Sequence, residues 1–163
     1  MIILLISFFL DLILGEICFS FFGHLNLLFI CFFISSIPVC YLLSINKKVF
    51  LIILIILGLL YDLLFSSIFF INTIFVVLYF LFLSIFYKIK NDTVLNIFLI
   101  SIIGIICYDF YLFLVLNLLN YSFVINDFYY KIYNSLIMNS LYIILLVSFY
   151  KSRIFGFKKS KVF

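Results

Sequence analysis

In this chain of 163 residues 69% are apolar and only 10% charged, whereas a soluble domain is nearer half apolar and a quarter charged. A soluble fold of this content would expose apolar surface beyond what stays in solution. The net charge of +4, spread over turns and a tail, points to neither nucleic acid nor an acidic substrate. The apolar residues gather into runs long enough to cross a hydrocarbon core of about 30 Å, which takes roughly 20 helical residues. The expectation is an all-α membrane protein of about six transmembrane helices in one bundle over residues 1–150, with a basic cytoplasmic tail at 151–163.

The first helix is expected over Ile2 to Phe21. It lacks a basic leader and is interrupted by Asp11 and Glu16, so it reads as a retained helix and not a signal peptide. A turn at Gly23-His24-Leu25-Asn26 leads to helix 2, Leu27 to Ser44, where Pro38 predicts a kink. Asn46-Lys47-Lys48 closes it, and helix 3 follows from Val49 to Phe65, ending at Ser66-Ser67. Helix 4 spans Asn72 to Tyr87 and helix 5 Thr93 to Leu119. Asn120 to Tyr133 is expected as the longest and most polar loop, before helix 6 from Asn134 to Tyr150.

Charge orients these elements, because short cytoplasmic loops are enriched in Lys and Arg. Lys47 and Lys48, Lys88 and Lys90, and Lys151, Arg153, Lys158, Lys159 and Lys161 follow helices 2, 4 and 6, which leaves Lys131 as the one exception. Six helices put all three groups on one side, so both termini are expected to be cytoplasmic.

An acid at the centre of a membrane helix costs about 2.5–3.5 kcal/mol on insertion scales. Asp11, Glu16, Asp62 and Asp109 therefore need a reason, and they lie on the three helices that run outward. Counting about 1.5 Å per residue, Asp62 is roughly 20 Å from Lys48 and Asp109 roughly 25 Å from Asp92, so the two lie at similar depth in the outer half. Small and polar residues share their faces at multiples of four: Ser7, Asp11, Gly15; Gly58, Asp62, Ser66; Ser101, Asp109, Asn117; and Ser135 with Asn139. Such stripes let membrane helices approach and bond across the contact, so they are expected to face one another or to line a wet outer cavity. One reading is a packing core of protonated or hydrogen-bonded carboxyls; another is a site for a partner helix or small ligand. A proton relay is a third, though no Lys, Arg or His stands at mid-membrane beside them.

Catalytic signatures are missing. There is no HExxH, GxSxG, Walker loop or GxGxxG, so no enzyme is expected and no cofactor or metal is implied. Cys18, Cys31, Cys40 and Cys107 lie far apart in apolar runs and form no CxxC pair, which reads as buried thiols acting as small apolar side chains.

The stretch Gly58-Leu59-Leu60-Tyr61-Asp62-Leu63-Leu64-Phe65, followed by Ile71-Asn72-Thr73, resembles the signature of the rod shape-determining protein MreD family. Leu25-Asn26-Leu27-Leu28 looks like that family's Pro-Asp-Leu stretch, and Asn139-Ser140-Leu141 is similar to its late Asn-x-Leu element. Phe70 stands where the family usually has glycine, and the upstream proline is replaced by Gly23-His24. The resemblance implies a non-enzymatic scaffold of the cell-wall elongation machinery in a bacterial inner (plasma) membrane, involved in cell shape. Its partner would be a bitopic MreC-like protein and, through it, the cell-wall synthase complex and the MreB filament. It also implies a fold like the six-helix substrate-binding subunits of energy-coupling factor transporters. The family's Gly-x-x-x-Asp maps to Gly58 and Asp62, a close helix contact beside a polar group that suits a partner's transmembrane segment. Asp109, Asp11, Asn72 and Asn139 complete the candidate partner-binding or polar-core set.

A small-molecule (vitamin or metal) transporter's substrate-binding subunit is the alternative. The aromatic Asn120 to Tyr133 loop would then cap the pocket, though its character also suits the lipid interface. The basic tail suits a topology anchor or contact with anionic lipid.

Overall fold

The computed structural model describes residues 1–22, 31–65, 69–89, 93–119 and 125–159. These form six α-helices, with no strand among the described residues: α1 Ile2–Phe22, α2 Phe32–Leu43, α3 Lys47–Phe65, α4 Ile71–Ile89, α5 Val94–Leu118 and α6 Ile125–Lys159. By length and composition Val94–Leu118 and Ser135–Ser152 are long and apolar enough to cross a membrane, while Ile2–Leu14, Phe32–Leu43 and Ile71–Tyr87 are shorter apolar helices.

Local signals set several boundaries. Asn46 caps α3 by accepting the Lys48 and Val49 amides at 3.1 and 3.3 Å, and Thr93 caps α5 by accepting the Asn96 amide at 3.3 Å. The Lys47 ammonium donates to the carbonyls of Tyr41 and Ser44 and lies 4.0 Å from the Tyr41 ring centre, which terminates α2 with a cation where its carbonyls end.

Three boundaries differ from the expectation. Residues 125–133, expected as loop, are helical, and α6 continues through 151–159, where a tail was expected. Residues 125–133 are polar but contain neither Gly nor Pro, and polarity alone does not break a helix. Helix 2, expected from Leu27, begins at Phe32 with Cys31 as its cap; residues 27–30 lie outside the described residues. Pro38 stands inside that helix without ending it.

α2 is the central element. Every residue from Phe32 to Tyr41 is buried, and α2 packs against α1, α5 and α6 and also touches α4. Aromatic contacts tie it outward. Phe33 stacks on Tyr61 of α3 at 5.7 Å and meets Phe8 of α1 edge-on at 5.9 Å. Phe32 lies 4.3 Å from the ring of Tyr142 on α6, and Tyr41 stacks on Tyr87 of α4 at 5.7 Å. Offset and edge-on pairs of this kind add about 0.5–1.5 kcal/mol each beyond the area they bury.

α3 and α4 form a tight hairpin. A methyl on Gly58 would stand 3.1 Å from the Thr73 Cα, so the bare Gly58 is what lets the two backbones approach. At the entry to α4, Phe70 adopts φ 70°, a left-handed conformation that costs a side-chain-bearing residue about 1–2 kcal/mol. Phe70→Gly is expected to relieve that strain at the cost of a more flexible unfolded chain. The net expectation is a gain of about 0.5–1 kcal/mol, read as a higher unfolding midpoint of the purified protein.

Candidate functional site

Several of the buried polar groups form two clusters, each built around a carboxylate that holds the start of a neighbouring helix, while Ser35, Ser36 and Ser101 bond carbonyls of their own helices. The first four amides of any helix have no partner within it, and water is the usual alternative. Here the starts of α2 and α4 lie inside the molecule, so side chains from other helices must answer them.

At the start of α4, Asp62 on the last turn of α3 takes four hydrogen bonds. Its Oδ1 accepts from the Asn72 amide at 2.8 Å and the Asn72 side-chain Nδ2 at 2.9 Å. Its Oδ2 accepts from the Thr73 amide at 3.0 Å and the Thr73 hydroxyl at 2.6 Å. An ionised carboxylate offers about four acceptor sites, and all are taken; Asp62 is 1% exposed. The network continues outward, with the Tyr108 hydroxyl donating to Asn72 Oδ1 at 2.6 Å and the Tyr111 hydroxyl to the Ile71 carbonyl at 3.1 Å. α5 thereby grips the same helix start.

At the start of α2 the arrangement repeats with different partners. Asp11 on α1 accepts from the Phe32 amide at 2.8 Å through Oδ1 and from the Phe33 amide at 2.9 Å through Oδ2. The next amide back, Cys31, donates to Asn139 Oδ1 at 3.0 Å, and the Asn139 Nδ2 donates to the Ser135 carbonyl at 2.7 Å. A hydrogen bond of 2.7 Å between the Ser7 and Tyr142 hydroxyls closes α1 onto α6. In both clusters one carboxylate spans two consecutive amides, one per oxygen. Asp11 and Asp62 do the same work on successive hairpins.

The candidate residues thus fall into two groups. Gly58, Asp62 and Asn72 meet at the α3–α4 turn, and Asp11 meets Asn139 at the start of α2. Asp109 is buried on α5, next in sequence to the Tyr108 that joins the first group. Ser7, Ser101 and Ser135 are buried as the stripes predict, while Asn117 is exposed, because α5 has passed beyond the packed part of the bundle by that turn. Cys31 and Cys40 are buried, but Cys107 is exposed, which corrects the reading of all the thiols as core; it lies on the outer face of α5, between exposed Ile106 and buried Tyr108. Cys18, Glu16, Gly15, His24 and Ser66 lie outside the residues whose side chains the structure describes. Among the described residues, no group of three or more His, Cys, Asp or Glu comes together as a metal site would require.

Sequence reasoning missed Tyr108, Tyr111 and Tyr142. In a chain with 12 tyrosines among 25 phenylalanines, a hydroxyl that reaches a buried acceptor looks like any other aromatic position. The adjacency of Tyr108 to Asp109 was the one signal available.

No family model, curated protein or solved structure matches this chain.

Proposed function

We propose that the chain is a multi-pass membrane protein with both ends in the cytoplasm, acting as an MreD-like scaffold for cell-wall elongation. The observation that carries the scaffold reading is that Gly58, Asp62, Asn72 and Thr73, the residues of the signature, make one bonded unit at the α3–α4 turn. The two segments flank one turn, so the hairpin itself brings them together; what supports the reading is that the signature residues Asp62, Asn72 and Thr73 are the ones that bond there.

The membrane placement is supported by the distribution of polarity. Asp11, Asp62, Asn72, Asp109 and Asn139 are inside, while large apolar side chains such as Ile52, Leu63, Leu78, Leu95 and Leu145 face outward. A soluble protein shows the reverse and rarely exposes large contiguous apolar surface. In lipid, buried polar groups must be satisfied within the protein, which is the service that Asp11 and Asp62 perform.

Because the Asp62 acceptors are all occupied, its part in partner capture is to shape the α3–α4 hairpin. The partner's transmembrane helix then meets the outward apolar faces of that hairpin. Affinity capture of the tagged chain from native membranes in mild detergent tests this. The expected companions are a bitopic periplasmic coiled-coil protein and a wall synthase. Recovery of a transmembrane coupling subunit with ATPases would replace the scaffold by a transporter's substrate-binding subunit.

A further inference from the structure

The turn between α3 and α4 carries an arrangement that the packing of the protein does not account for. Phe69 and Phe70 are 65% and 56% exposed, with ring centres 6.5 Å apart. Phe70 holds φ 70°, which a glycine would adopt without strain. It also occupies the capping position of α4, since its carbonyl accepts the Ile74 amide at 2.9 Å, yet the amides of Asn72 and Thr73 are answered by Asp62. A phenyl ring at this position therefore strains the backbone and buries little within the chain. Strain of this sort persists only where the surrounding structure imposes it, and it clusters at functional positions.

We propose that Phe69 and Phe70 form an aromatic wedge that seats the α3–α4 turn in the headgroup–acyl boundary of the outer lipid leaflet. The inference rests on the membrane placement under Proposed function and adds which surface meets the lipid boundary, and with which residues. Two observations, and the general behaviour of aromatic residues, favour lipid over a soluble partner. The exposed apolar face made by Leu63 and Leu64 of α3 and by Ile74 and Leu78 of α4 runs up to the pair. No charged residue stands between Asp62 and Lys88, and Asp62 is buried, so a charged partner surface would find no complement there. Phe is also among the residues with which the apolar faces of surface-lying helices enter that boundary, to a depth of about 5–10 Å.

The absence of Trp from the chain makes the test direct, since a single substitution introduces the only indole. Phe70→Trp and Phe69→Trp would each be reconstituted in phosphatidylcholine vesicles containing lipids brominated at a shallow or a deep acyl position. Phe69, whose φ is not left-handed, covers the case in which tryptophan is poorly accepted at 70. The emission of both variants is expected to be lost most strongly to the shallow bromines. Leu78→Trp, eight residues along α4 and therefore roughly 12 Å away, is expected to show the opposite preference. If Leu78→Trp is quenched while Trp at 69 and at 70 emits as in water, the wedge is overturned and the membrane placement stands. If Leu78→Trp also emits as in water and is quenched by neither lipid, the membrane placement fails and the wedge with it.

Discussion

Asp62→Leu is expected to destabilise the protein by about 2–6 kcal/mol, taking about 1–3 kcal/mol for each buried backbone amide left without an acceptor. The two amides are those of Asn72 and Thr73. They sit at the start of α4, where leucine offers no acceptor and the packing around Gly58 leaves little room for water. The Thr73 hydroxyl and the Asn72 side chain, both buried, lose a partner too. Asp62→Asn keeps one acceptor oxygen and brings an amide group against the second backbone donor, so its midpoint is expected between wild type and Asp62→Leu. Denaturant or thermal unfolding in a mild detergent reads both, and an unchanged midpoint for Asp62→Leu would sink the capping account. The same measurement bears on function. If Asp62→Leu loses partner capture, the loss is expected to track the fraction unfolded, whereas a direct contact would be lost from protein that is still folded.

The second large effect is expected at Gly104. A methyl there would fall well inside contact distance of the Tyr79 hydroxyl and ring, with the ring Cε2 at 3.0 Å. Tyr79 is itself buried, and its hydroxyl donates to the Ile100 carbonyl at 3.0 Å. Gly104→Ala must push the ring aside. It should cost about 1–3 kcal/mol for overpacking, and about 1 kcal/mol more if the hydrogen bond breaks. A double-mutant cycle isolates the cause. In a Tyr79→Ala background the space is already open, and Gly104→Ala is expected to be neutral or stabilising, since alanine favours helix over glycine by about 1 kcal/mol. Additive costs in the double variant would mean that the crowding lies elsewhere.

The residues that stand out in the sequence are those with a physical anomaly. An acid in an apolar run has to be answered by something, and Asp11, Asp62, Asn72 and Asn139 are buried and bonded as that argument requires. The all-helical architecture of six elements was legible for a similar reason, because polar breaks divide long apolar runs. What the breaks concealed was the start of α2. Nothing local distinguishes Leu27 from Phe32 as the first helical residue; Asp11 and Asn139, both remote in sequence, do so by placing acceptors at the amides of 31–33. The extent of α6 is hidden because residues 125–133 are polar enough to read as a loop, although they contain no helix breaker. The tyrosine latches were invisible because their function depends on which buried oxygen lies one ring-length away.

The bond between the Cys31 amide and Asn139 joins residues 108 apart in the sequence. During synthesis the chain leaves the ribosome from its first residue onward, so α1 and α2 are made long before the asparagine that completes the α2 start. The start of the central helix is consequently completed only when the last helix is made, although Asp11 can hold two of its amides from the outset. Until α6 is in place, the nascent protein holds a short apolar helix with one of its leading amides unanswered. Intermediates that end before Asn139 therefore lack one of the three acceptors that hold the start of α2.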